Sequence, residues 1–74
     1  MTATMMAMDY AYVDNLSADQ LLEGDLIEIN DEIVKVISIA FTKDGFLLNV
    51  ENDFNEKEEI EVSDEASFKL FVMR

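Results

Sequence analysis

Asp25-Leu-Ile-Glu-Ile-Asn-Asp-Glu-Ile-Val-Lys-Val-Ile-Ser-Ile-Ala-Phe-Thr42 decides the fold of this chain. Its apolar residues are mostly β-branched and recur near every second position, the period at which successive side chains of a strand point to opposite faces. Asn30 and Asp31 interrupt the pattern, and both residue types tolerate the positive φ that a two-residue hairpin loop demands. The stretch therefore predicts two antiparallel strands, residues 26–29 and 32–42, joined by a tight turn. Toward the C-terminus, Lys43-Asp-Gly45 reads as a second hairpin turn into a strand over 46–51, with Gly45 supplying the conformation of a short loop. An acidic loop at 52–56 precedes a strand over 59–62, and the turn at 63–67 leads to a last strand over 68–73.

Working toward the N-terminus, Ser17 and Gln20 have the spacing of a capping box, and Gly24 suits the left-handed residue that ends a helical turn. These signals predict one or two helical turns over 18–23, with Leu16 and Leu21 placed as a hydrophobic staple. Residues 1–15 read as a leader, either loose or packed on a neighbouring subunit. Its Met1-Thr-Ala-Thr-Met-Met-Ala-Met8 is apolar but is far short of the roughly 20 apolar residues of a membrane helix and has no basic leading segment. Residues 16–74 then form one domain. The expected fold is all-β: a five-stranded antiparallel barrel with a short N-terminal helical turn.

Alternation assigns Ile27, Ile29, Ile33, Ile37, Ile39, Phe46, Leu48, Val50, Ile60, Val62, Phe68, Leu70 and Val72 to the core face. Leu26, Val34, Val36, Leu47, Phe71 and Met73 fall on the opposite parity. Either a bulge or strong curvature turns some of them inward, or the domain carries a second apolar face, which in a soluble protein marks an interface.

Composition narrows the chemistry. Seventeen acidic residues against five basic ones give a net charge of −12, while half the residues are apolar, too many for a disordered acidic chain. Without His or Cys there is no imidazole base, no thiolate nucleophile and no zinc, haem-histidine or iron–sulfur ligand set. The acidity is concentrated in residues 51–65, with eight acidic groups and one lysine. Scattered lysines make no phosphate-neutralising patch, so direct nucleic-acid binding is not expected. Asn52, Asp53, Asn55, Glu56, Glu58 and Glu59 offer oxygen ligands, but Lys57 occupies the third ligand position of a calcium loop and its turn glycine is missing, so no specific metal is expected. The pairs Glu28 with Glu32 and Glu59 with Glu61 read as solvated strand faces and not as acid–base machinery. The expectation is a protein that is not an enzyme, with no catalytic residues, no cofactor and no membrane association.

Residues 22–36, with the Gly24-Asp25 lead-in, the first strand, the Asx turn and the long second strand, resemble the opening of an SH3-like barrel of the translation-protein type. The N-terminal domain of elongation factor P and KOW-type domains begin in this way. The turn at 63–67 is similar to the single helical turn that such folds place before their final strand, and the resemblance covers roughly residues 20–73. It implies an SH3-like barrel and directs attention to the loop tip Lys43, Asp44 and Gly45, since the family's corresponding tip carries a basic residue that reaches toward ribosomal RNA. Here the tip is shorter, and Asp44 stands beside the lysine.

Together these readings predict a structural or interaction module, in the manner of a phage or viral accessory protein. It would self-associate or dock on a protein partner through an apolar barrel face holding Leu26, Val34, Val36, Leu47, Phe71 and Met73. The alternative is an acidic regulator, acting as a nucleic-acid mimic or a translation-associated factor. The expected setting is cytoplasmic, meaning the host cytoplasm or the virion for a phage-encoded chain.

Overall fold

A computed structural model of the protein describes residues 10–73. They form six strands: β1 (Tyr10–Ser17), β2 (Leu26–Ile29), β3 (Glu32–Phe41), β4 (Gly45–Glu51), β5 (Lys57–Ser63) and β6 (Ser67–Met73). All pairings are antiparallel in one sheet of order β1-β6-β2-β3-β4-β5. The segment from β2 to β5 is a meander of adjacent hairpins, and β6 returns to pair with both β2 and β1. The β2–β3 hairpin turns at Asn30 (φ 53°) and Asp31 (φ 66°), the positive values that their short polar side chains tolerate.

The sixth strand is β1, running through residues the sequence reading gave partly to the leader. Tyr10 pairs with Met73, Ala11 with Val72 and Tyr12 with Phe71; the register then slips past Val13, so that Asp14 faces Leu70 and Leu16 faces Phe68. That bulge breaks the alternation of Tyr10-Ala-Tyr-Val-Asp-Asn-Leu-Ser17, and the Asp14-Asn15 pair inside it resembles a turn. Residues 1–9, the rest of the expected leader, lie outside the described residues.

The helical turn is shorter than expected. Only Ala18–Gln20 form a single 3-10 turn, and Leu21 is already extended, at φ −70° and ψ 146°. The Ser17 amide donates to Gln20 Oε1 at 3.1 Å, which is the backward half of the capping box. Asp25 halts the helix by claiming the next donor: its Oδ2 accepts from the Leu22 amide at 2.9 Å, while its own amide donates to the Leu22 carbonyl at 3.1 Å. Gly24, at φ 95°, carries the chain round the corner, and its amide donates to the Val36 carbonyl at 2.7 Å. The Gly-Asp lead-in thus clamps this loop to the middle of β3, where the Val36 amide donates to the Asp25 carbonyl at 2.8 Å.

The core consists of Ala18, Leu21, Ile27, Val34, Val36, Phe46, Leu48 and Val50, with Leu16, Ile29, Ile39, Ile60, Val62, Ala66, Phe68 and Leu70 packed against it. Val34 and Val36 were expected on the outer face; instead they are 5% and 0% exposed. The cause is a bulge in β3. Val36 pairs with Val50 and Ser38 with Asn49, leaving Ile37 without an opposite residue. Even-numbered residues therefore face the core before Ile37 and odd-numbered ones, such as Ile39, after it. Ile33 and Ile37, expected in the core, are half-buried and lie outside it, and Val72 is 47% exposed near the end of β6.

Gly45 has a different role from the expected one. Its φ is not positive; instead, a Cβ there would overlap the Val62 carbonyl oxygen and crowd the Asp64 amide. Glycine at 45 allows β5 to end directly against β4.

Candidate interaction surfaces

The register defines one row of residues crossing the whole sheet on its outer face. Tyr12 stands opposite Phe71, Phe71 opposite Leu26, Leu26 opposite Lys35, Lys35 opposite Glu51 and Glu51 opposite Lys57. Read from β1 to β5, the row passes from aromatic to aliphatic to alternating charge. Its apolar end is exposed: Tyr12 is 54% accessible and its pairing neighbour on β6 leads on to Met73, at 59%. The Tyr12 and Phe71 rings meet edge to face with centroids 5.9 Å apart, a favoured aromatic geometry. Of the residues expected to form an interface, Leu26, Phe71 and Met73 share this patch, and half-buried Leu47 lies apart on β4 between Ala40 and Glu61. Tyr10 and Tyr12, which the leader assignment concealed, complete the patch.

Beside it lies a depression of about 220 Å³ lined by Tyr10, Leu26, Ile33, Lys35, Asp53 and Met73, among others. One wall is the β4–β5 loop, shaped by Asn52: its Oδ1 accepts from the amides of Phe54 (2.9 Å) and Glu56 (3.0 Å), and its Nδ2 donates to Glu56 Oε1 at 2.9 Å. An Asn side chain used this way serves its own backbone. The loop is tied to β1 by the Tyr10 hydroxyl, which donates to Asp53 Oδ1 at 3.2 Å. Burial of the Tyr10 hydroxyl, and then the hydrogen bond to Asp53 and its negative charge, push the phenol pKa upward.

At the other end of β4, Lys43 and Asp44 are exposed at the β3–β4 turn and Gly45 is half-buried. Phe41 is 86% exposed there, its ring centroid 5.5 Å from that of Phe46. The edge strand β5 presents Glu58, Glu59 and Glu61, all exposed, whereas Ile60 and Val62 turn toward the core.

Among the described residues no group of three or more acidic side chains is placed to hold a metal ion, and no helix is long and apolar enough to cross a membrane. The protein matches no family model, curated protein or solved structure.

Proposed function

We propose that this chain is a non-enzymatic interaction module that associates with a second copy of itself through the apolar end of the outer face. The observation that carries this reading is the row Tyr12, Phe71 and Leu26, continued by Met73, in which aromatic and aliphatic side chains lie side by side with Tyr12 and Met73 more than half exposed. Charge supports a second copy as the occupant. Strand β1 carries only Asp14 and β6 only Lys69, whereas β5 carries three glutamates. A two-fold pairing of β1–β6 sides sets these sparsely charged strands against each other and leaves the β5 glutamates outside the contact.

The connectivity supports an SH3-like barrel as the underlying fold. The four-strand meander β2 to β5, a single turn at Ser63–Ala66 and a final strand returning to the first are features such barrels share, and β1 is then an addition on the outside of β6.

Sedimentation equilibrium tests the reading. The wild-type chain is expected to be dimeric at micromolar to millimolar concentration, and Tyr12→Glu and Met73→Glu, both at exposed positions, are expected to return the monomer mass with an unchanged circular dichroism spectrum. A wild-type protein that stays monomeric throughout that range refutes it.

A further inference from the structure

The opposite edge of the sheet has a different chemistry and, we infer, a different occupant: strand β5 accepts an extended segment of another protein in which cationic and apolar residues alternate, adding it as a further strand. This inference concerns another surface and does not depend on the self-association proposed above.

Strand β5 pairs only with β4, leaving one side unpaired among the described residues. The Asn52 amide donates to the Glu56 carbonyl at 3.0 Å, and this fixes which residues of the β4–β5 ladder exchange hydrogen bonds. Counting along the register, Val50 with Glu58, Leu48 with Ile60 and Phe46 with Val62 are the bonded pairs. The amides and carbonyls of Lys57, Glu59 and Glu61 and the amide of Ser63 therefore point away from β4, while the Ser63 carbonyl is taken by the Ala66 amide at 3.1 Å. The outward groups form a regular row of free donors and acceptors, with no bulge to disrupt it.

Side chains specify what fits. Glu59 and Glu61 carry the outward backbone groups and also stand exposed on the outer face, opposite Asn49 and Leu47. An added strand places residues directly across from both, close enough for cross-strand pairs to contribute. Cationic residues are favoured there, two positions apart. The residue between them, and the one across from Val62, lie on the core side beside Ile60 and Val62, which are only half-buried and gain cover from an apolar neighbour. A second copy of this chain is a poor occupant: β5 against β5 sets glutamate beside glutamate, and β1 has Asp14 and no cation. Acidic side chains on an edge strand repel the wrong strands, and on this edge they select a strand of opposite charge.

The test uses an end-blocked synthetic peptide of alternating lysine and valine that matches the 7-residue length of β5. Binding is read by calorimetry and by amide chemical-shift changes, with the Tyr12→Glu chain alongside the wild type. Shifts are expected at Lys57, Glu59, Glu61 and Ser63, with equal affinity for both chains. N-methylation of the lysine amides, which face β5 in the bonded register, is expected to weaken binding by about tenfold or more. N-methylation of the valine amides, which face away, is expected to leave it within about twofold. The folded double variant Glu59→Gln/Glu61→Gln is expected to bind about fivefold more weakly. Absence of binding overturns the proposal. So does equal binding of the lysine-methylated peptide or of one with its lysines clustered, because charge alone then suffices, as it does for an acidic mimic of nucleic acid.

Discussion

Strands β1 and β5 occupy equivalent places, each at an edge of the sheet with one side of its backbone unpaired among the described residues, yet they are built from opposite materials. Strand β1 is nearly uncharged, carries two tyrosines and is bent by the bulge at Val13; strand β5 is regular along its length and carries three glutamates. Edge strands are protected from indiscriminate pairing either by shape or by charge. This molecule uses one device on each side. A bulge interrupts the hydrogen-bonding row but leaves apolar side chains free to make contact, whereas charge leaves the row intact and restricts who approaches it. The first edge is thus suited to side-chain packing across a face, the second to backbone pairing with a chosen partner.

Three perturbations separate the edges, beginning with the largest. Gly45→Ala forces a methyl group into the Val62 carbonyl, so β5 has to move off β4; the expected cost is about 3 kcal/mol in urea unfolding. An unchanged stability would show that β5 is not held where it lies. Leu16→Ala acts on the other side. Leu16 is half-buried against the core beside Phe68, so about 1–2 kcal/mol is expected, with amide exchange accelerated in β1 before it rises in β5. Uniform acceleration across the sheet would mean that the two edges open together.

The smallest effect concerns the tie between them, from Tyr10 on β1 to Asp53 in the loop before β5. Folding raises the Tyr10 pKa above its usual value of 10.0, so the native state holds the phenolic proton more tightly than the unfolded chain does. The associated stability is complete below pH 10.0 and is lost as pH rises through the folded value. Ultraviolet titration of tyrosinate is expected to show one tyrosine ionising earlier in Asp53→Asn than in the wild type. Identical titration curves would remove Asp53 from the account.

Local signals made some of this architecture readable and hid the rest. Asn30-Asp31 announced its hairpin because two successive residues tolerant of positive φ have few other uses between β-branched runs. The capping box overstates the helical turn because it signals where a helix starts and not how far it goes; Asp25 ends it from outside. Strand β1 stayed hidden because its partner, β6, lies at least 50 residues away, as Ser17 pairs with Ser67, and its own alternation is broken. The interface residues divided accordingly. Leu26, Phe71 and Met73 lie on unbulged stretches and kept the face that alternation gave them, while Val34 and Val36 precede a slip that no local signal marks.

That slip gives β3 something like a reading frame. Val36 and Ser38 already face the adjacent residues Val50 and Asn49, so Ile37 is a supernumerary letter. Struck out, it would leave every other residue of the strand with its face and its partner. Loss of a residue such as Lys35 would instead turn one end of the strand over. Through β3, then, the chain is more sensitive to where its length changes than to how much: one position can be lost without altering the message on either side.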